Sequence, residues 1–282
     1  MTRAQALPLI RLALREDEAH RDRTSRTVLP ASAVIRARLI ANAPGVLAGV
    51  NAAAWVFTAL DPSLRCRLHQ HSGAPLSPGK VILTVEGRAR SIFAAERTAL
   101  NLLGHLSGIA TLTAAYVRRV RGTRAAILDT RKTLPGLRAL EKEAVRAGGG
   151  RNHRADLADT VLIKTNHLIA LANTSRTTVA TAIPQALARA RRSRRSVEIE
   201  VRNLAELRAA LRAKPQMVLL DNWPVGSLRR AVALWRPGIA LEVSGGVTLA
   251  NVRAIARTGV DRISIGRLTH SAPALDCSLK VV

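Results

Sequence analysis

Six short apolar stretches of this chain end in residues that can hold an anion or a cation. Ile127-Leu128 runs into Asp129-Thr130-Arg131-Lys132, and Val161-Leu162-Ile163 into Lys164. Val197–Val201 carries Glu198 and Glu200, two apart and therefore on one face of a strand. Met217–Leu220 leads to Asp221-Asn222, Ala240–Val243 to Ser244-Gly245-Gly246, and Ile263–Ile265 to Gly266-Arg267. The run Gly148–Arg154 adds His153 and Arg154. Guanidinium forks match carboxylates bidentately, so Arg131 and Arg154, with Lys132 and Lys164, suit a small dianion. Ser244-Gly245-Gly246, ahead of a helix expected from about Thr248, reads as a phosphate cradle closed by Gly266. Glu200 and Asp221 offer the oxygen ligands that Mg²⁺ on a phosphate takes. Singly, Lys164 is a solvated strand-end lysine, Ser-Gly-Gly a turn and Asp221 a helix cap. Together they describe an enzyme that joins a phosphorylated sugar to a small carboxylate.

The elements that must position these residues alternate. Helical patterns at 137–147, 178–192, 204–213, 228–235 and 249–257 separate the six strands, which implies parallel strands joined by right-handed crossovers. A (β/α) barrel or an open doubly wound sheet would result, and in a barrel all six strand ends share the active-site rim. No GxGxxG follows a strand, so a dinucleotide site has no support. The first hundred residues read as α+β: a helix at 3–16, a polar loop at 16–25, strands at 34–40, 64–69 and 81–85, and a helix capped by Asn51 that stops at Asp61-Pro62. Residues 91–120 read as two helices meeting near Gly104–Gly108, with Arg97 off their apolar face as a surface arginine.

The chain has 282 residues and 48% hydrophobic content, enough for a core of globular size. Aromatics are 2%, too few for stacking bases. The net charge of +25 raises a nucleic-acid binder as the reading from a different class, but the Arg189–Arg195 run ends a helical pattern and no nucleic-acid-binding motif accompanies it. Cys66 and Cys277 show no metal spacing and are expected as free thiols in a reducing cytoplasm. No signal peptide or membrane span is expected, and neither membrane nor nucleic acid is an expected partner.

The runs Glu96–Leu103, Leu106–Thr111, Asp129–Glu143, Gly148–Arg154, Leu162-Ile163-Lys164, Leu220-Asp221-Asn222 and Ser244-Gly245-Gly246 resemble the quinolinate phosphoribosyltransferases, strongly from about residue 90 to 280 and loosely before. The resemblance implies an N-terminal α/β open sandwich (1–107, completed by 269–282) and an incomplete (β/α) barrel of about six parallel strands (108–268). It implies transfer of ribose phosphate from phosphoribosyl pyrophosphate (PRPP), with Mg²⁺, to quinolinate, a pentosyltransferase reaction that releases CO2 and pyrophosphate. By motif, Arg131, Arg154 and Lys164 would hold the quinolinate carboxylates beside Thr130 and His153. Lys132 and His270 would contact PRPP. Glu200 and Asp221 would bind ribose hydroxyls and metal, while Ser244, Gly245, Gly246, Ile265, Gly266 and Arg267 would seat phosphate. Lys132, Lys164, Glu200 and Asp221 form the implied catalytic set. The resemblance also reverses the surface reading of Arg97, which would reach the neighbouring subunit's pocket in a homodimer. Arg21-Asp22, Gly104 and Thr165 depart from the usual Gly-Asp, Gln and acidic residue. The related molybdenum-locus family and nicotinate phosphoribosyltransferase are the enzyme alternatives. The latter handles one carboxylate, against a cation-rich pocket. The acidic Asp-Asp plus Thr-Gly-Gly motif of another phosphoribosyltransferase class is absent.

Overall fold

A capping box opens the chain: Thr2 Oγ1 accepts the Gln5 N–H while Gln5 reaches back to the Thr2 N–H, starting α1 (Arg3–Glu16). Ala6, Ile10 and Leu14, four apart, bury one face of it. A 3₁₀ turn and α2 (Arg23–Val28) follow where a polar loop was expected, because Asp22 caps the Ser25 amide. Then come β1 (Val34–Ala41), β2 (Gly45–Val46), α3 (Val50–Leu60), β3 (Arg65–Leu68), β4 (Pro75–Leu76), β5 (Val81–Arg88) and α4 (Ala89–Val120). The expected cap of α3, Asn51, lies inside the helix. Gly49 occupies the cap with φ 77°, a conformation glycine adopts without strain.

The second half of the chain alternates as expected: β6 (Ala126–Leu128), α5 (Arg138–Ala147), β7 (Val161–Ile163), α6 (Thr165–Ser175), α7 (Val179–Arg191), β8 (Val197–Val201), α8 (Leu204–Ala213), β9 (Met217–Asp221), α9 (Val225–Ala233), β10 (Ala240–Ser244), α10 (Val252–Ala256), β11 (Arg262–Ser264), α11 (Arg267–His270) and β12 (Cys277–Val281). Helix α6 went unread in the sequence, where its apolar residues follow no clear period. The computed structural model describes residues 1–235 and 237–282. They form two units: Met1–Ala114 with Lys132–Gly150 and Arg267–Val282, and Ala115–Arg131 with Arg151–Gly266. Residues 132–150 thus group with the N-terminal unit, although the sequence boundaries put them in the barrel.

In the first unit β12, β1, β5 and β3 form an antiparallel sheet in that order. Ile10 of α1, Phe57 of α3, Leu39, Leu83 and Val85 of the sheet and Ile92, Ala99 and Leu103 of α4 share its core. Helix α4 is one continuous helix, not two. Gly104 and Gly108 do not break it; they let the tail lie against it. A Cβ on Gly104 would come within 2.8 Å of the Leu275 carbonyl oxygen, and one on Gly108 within 2.0 Å of the Pro273 carbonyl oxygen. Among the described helices α4 alone is long and apolar enough to cross a membrane, and 56% of that apolar window is buried.

The second unit is an α/β layer around six parallel strands in the order β6-β11-β10-β9-β8-β7, open at its ends, as an incomplete barrel requires. Val197, Ile199 and Val201 of β8 are buried, and Glu198 between them is buried as well, so both faces of the strand are covered.

Replacing Gly108 by Ala forces a methyl group onto fixed backbone, not onto a side chain that can turn away. The expected loss is about 1–3 kcal/mol, read as a lower urea midpoint at unchanged slope; a midpoint equal to the parent's would show that the tail does not press on α4 there.

Candidate active site

The parallel register sets the chemistry. Ser244 pairs with Asp221 across β10 and β9, and the Ser244 hydroxyl donates to Asp221 Oδ1 at 2.6 Å. The Asn222 N–H donates to the Ser244 carbonyl at 2.8 Å, and Asn222 Nδ2 to Asp221 Oδ2 at 2.9 Å. Asn222 has φ 59° and Gly245 φ 83°. A Cβ on Gly245 would strike Asn222 Oδ1 at 2.1 Å, so the glycine is required by space as well as by φ. The two loops therefore interlock. Helix α10 begins only at Val252, later than the Thr248 start expected, after a turn in which Asn251 Oδ1 accepts the Thr248 N–H. The helix terminus is thus displaced from Gly245-Gly246.

One strand over, Glu200 Oε1 accepts from the Thr165 hydroxyl at 2.5 Å and the Thr165 N–H at 3.2 Å. The departure at Thr165 therefore replaces an acid with a donor to Glu200. Lys164, at the N-terminal cap of α6, is exposed at the end of β7.

Asp129 is fully buried and organises the segment after Gly150. The Arg151 N–H donates to the Ile127 carbonyl, so the segment runs beside β6. Asn152 Nδ2 donates to Asp129 Oδ2 at 2.5 Å and the His153 N–H to Asp129 Oδ1 at 2.7 Å. His153 then points inward. Its Nε2 lies 3.0 Å from Glu198 Oε2 and 3.3 Å from Glu242 Oε1, close enough for charge pairing but not aligned for a good hydrogen bond to either. Arg262 Nε donates to Glu242 Oε2 at 2.6 Å. Arg154 Nη1 donates to the Thr160 carbonyl at 3.0 Å. Burial, and then the charge of Arg131, hold the Arg154 pKa below its usual value. His153, Arg154 and Arg262 line a cavity of about 360 Å³ with Ser196, Gln216 and Met217, residues from the amino ends of the strands.

His153, Glu198 and Glu242 have the composition of a metal site, their ligand atoms lying within 4.8 Å of one another. The tautomer argues against it. The Arg154 amide donates to His153 Nδ1 at 2.7 Å, which leaves the ring proton on Nε2, where a metal would have to bind. Burial opposes an imidazolium, and Glu198 and Glu242 outweigh it, pushing the His153 pKa up to about 9. The amide hydrogen aimed at Nδ1 opposes the charged ring and burial favours a neutral Glu198, so His153 and Glu198 compete for one proton. Glu198 Oε1 meets no donor, and burial and the charge of Glu242 both raise its pKa. Burial also disfavours the Glu242 anion, but His153 and Arg262 overcome it and hold that carboxyl below its usual value. The four side chains then carry no net charge.

The other expected residues belong to the first unit. The Lys132 carbonyl accepts the Thr269 hydroxyl at 2.7 Å. His270 is exposed, with Nδ1 2.6 Å from Ser271 Oγ, and Arg267 is exposed. Arg97 is exposed on α4, makes no ion pair within 4 Å among the described residues, and its charge acts on the neighbouring Glu96. In the second unit, Thr130 and Arg131 follow β6, and Ile265 and Gly266 follow β11. Reasoning from sequence gave no role to Asp129, Glu242, Arg262 or Thr269. For Glu242 the signal was present: a lone acid in an otherwise apolar strand, in phase with Ser244.

If Glu198 holds the proton, Glu198→Gln mimics the native state and Glu242→Gln breaks an ion pair. The first variant should melt within about 2 °C of the parent at pH 8. The second should lose about 2 kcal/mol or more, because Arg262 keeps its charge without its partner. The sign with pH follows: a raised carboxyl pKa gives stability that is full below the ordinary carboxylate value and is lost as pH rises through the shifted one. The parent should therefore lose stability on going alkaline more than Glu198→Gln does; parallel pH profiles would place the proton elsewhere.

Two family models cover the chain: the quinolinate phosphoribosyl transferase N-terminal domain matches residues 22–107 and the C-terminal domain residues 109–280. The nicotinate-nucleotide pyrophosphorylase [carboxylating] of Mycobacterium leprae is 44% identical over 96% of this chain and 95% of its own. Quinolinate phosphoribosyltransferase [decarboxylating] 1b of Nicotiana tabacum is 38% identical over 97% of this chain and 81% of its own. Among solved structures, the nicotinate-nucleotide pyrophosphorylase of Francisella tularensis superposes with a TM-score of 0.90 at 37% identity, covering 100% of this chain and 98% of that one. Human nicotinic acid phosphoribosyltransferase, at 15% identity and a TM-score of 0.58, shares the fold alone. With the two domain models matching residues 22–107 and 109–280 and a relative 44% identical over 96% of the chain, the chain belongs to the quinolinate phosphoribosyltransferase family.

Proposed function

We propose that this chain transfers the phosphoribosyl group of PRPP to the ring nitrogen of quinolinate, releasing pyrophosphate and CO2 and forming nicotinate mononucleotide in NAD biosynthesis. The observation that carries the reading is the match of both family domains over nearly the whole chain. The chemistry of the residues supports it. Arg131, Arg154 and Lys164 are the cations for two carboxylates, with Thr130 and the His153 segment beside them. Lys132 and His270 are directed to PRPP, and Ser244, Gly245, Gly246, Ile265, Gly266 and Arg267 to its phosphates.

Glu200 and Asp221 fit a magnesium ion by donor type: both are half-buried carboxylates at neighbouring strand ends, and Glu200 Oε2 takes no protein donor among the described residues. When bound, Mg²⁺ supplies charge compensation to the pyrophosphate of the donor. Orientation and electrostatic stabilisation are the protein's own part. The cations fix the pyridine so that its nitrogen faces the anomeric carbon, and that nitrogen attacks as pyrophosphate leaves. The resulting pyridinium makes the adjacent carboxylate labile; CO2 departs with its bond electrons left on the ring carbon, which then takes up a proton. Cys66 and Cys277 are free, and burial pushes both thiols up to about 11, consistent with the reducing cytoplasm we assign.

Purified protein given quinolinate, PRPP and Mg²⁺ should release CO2 in step with PRPP consumption. Turnover of nicotinate in place of quinolinate, with no CO2, would overturn the reading.

The exposure of Arg97 supports a homodimer in which it completes the neighbouring subunit's pocket. Mixed Arg97→Ala and Lys164→Ala subunits, each inactive alone, should then recover about a quarter of parental activity once they exchange, as random pairing leaves one intact site in half the dimers. Exchange without recovery would confine each site to a single chain.

A further inference from the structure

The loop after Arg131 is tied down at successive residues within the first unit. The Thr269 hydroxyl donates to the Lys132 carbonyl at 2.7 Å, and Thr269 is 1% exposed. Arg138 Nε donates to Thr133 Oγ1 at 3.0 Å. The Leu134 N–H donates to Glu141 Oε2 at 3.3 Å, and Glu141, fully buried, has its other oxygen 2.9 Å from His105 Nε2. Thr269 differs from the other anchors in where it sits. Its hydroxyl fixes the backbone of Lys132, while the peptide bond on its own C-terminal side leads directly to His270. Both ends of this contact therefore adjoin an exposed side chain that can meet an anion, Lys132 at one end and His270 at the other.

We propose that Thr269 is a positioning residue for the phosphoribosyl donor: its hydroxyl locks the Lys132 backbone to the segment bearing His270, so that the two side chains present a fixed spacing to PRPP. The inference rests on the reading of Lys132 and His270 as PRPP ligands. Thr269 touches no substrate in this scheme. The physical argument is one of geometry. A lysine carries its charge on a flexible four-carbon stem, so its reach is defined only if the backbone beneath it is fixed. The closest mimic of threonine that cannot hold that backbone is valine, which keeps the shape and removes the donor. It would remove the hydroxyl donor from the part-buried contact at the Lys132 carbonyl, freeing that stretch of backbone to shift.

The test measures KM for each substrate separately in Thr269→Val, Thr269→Ser and Lys132→Ala, with thermal melting of each. Thr269→Val should raise KM for PRPP at least about fivefold, a loss of one hydrogen bond's worth of binding, and leave KM for quinolinate within about twofold. Thr269→Ser, which keeps the hydroxyl, should return KM for PRPP to within about twofold of the parent. Lys132→Ala should raise KM for PRPP more than Thr269→Val does. If Lys132→Ala raises KM for PRPP and Thr269→Val does not, the positioning role is overturned while the functional reading stands. If Lys132→Ala itself leaves KM for PRPP unmoved, Lys132 is not a donor ligand and the reading beneath the proposal fails. Equal rises in both KM values, or a failure of Thr269→Ser to restore the parent, would mark Thr269 as a general structural residue and overturn the proposal. Should Thr269→Val melt below the assay temperature, the serine and alanine substitutions at 269 measured at lower temperature carry the same comparison.

Discussion

The charged interior of the second unit is the constraint from which its site follows. A parallel sheet covered on both faces offers ionisable groups no water, and an unpaired ion there costs several kcal/mol. Asp129, Glu198 and Glu242 are nonetheless all fully buried. Each is compensated differently. Asp129 accepts from Asn152 and from the His153 amide, Glu242 from Arg262, and Glu198, its pKa raised by burial, lies against His153. His153, Glu198, Glu242 and Arg262 together form a neutral cluster whose members come from β8, β10, β11 and the segment after Gly150. That segment has no regular structure of its own, and its path is set by these contacts.

The period of two along each strand then separates structural acids from available ones. In β8, Glu198 lies deep and Glu200 one step along emerges at the strand end. In β10, Glu242 lies deep and Ser244 emerges. Because Ser244 is in register with Asp221, the outer layer of polar groups is placed by the backbone hydrogen-bond ladder and not by loop conformation. A deep charge cluster under a shallow set of ligands means that the geometry of the site and the stability of the interior cannot be varied independently.

Much of this was legible in the sequence, because short β-branched runs flanked by chemical residues are hard to mistake. The spans of β7, β8 and α8 coincide with those read from periodicity. What failed had identifiable causes. Gly104 and Gly108 read as a break between helices because local propensity disfavours glycine there; the tail that packs on them lies more than 160 residues away and cannot be seen locally. Asn51 read as a cap because its side chain suits one, while Gly49 takes the left-handed conformation the turn needs. Glu242 went unused because an acid in a strand acquires meaning only when the partner strand brings Arg262, and a neighbouring one His153, beside it. His153 was placed beside the substrate from its motif alone; the contacts of its two ring nitrogens, one with the Arg154 amide and the other beside two acids, depend on strands distant in sequence.

The adjacent cations Arg131 and Lys132 carry this reasoning furthest. They are neighbours in sequence, yet the boundary between the two units falls at the peptide bond that joins them. Arg131 follows β6, whose last residues are tied to the segment bearing Asn152 and His153. Lys132 is held through its carbonyl by Thr269, in the last stretch of the chain. Two like charges on consecutive residues would ordinarily be free to splay apart or to serve one ligand together. Here each has its own backbone anchor, made of different elements and drawn from different parts of the sequence. Separate backbone anchors fix the course of each residue's main chain independently, so adjacency in sequence does not oblige the two cations to act on one anion.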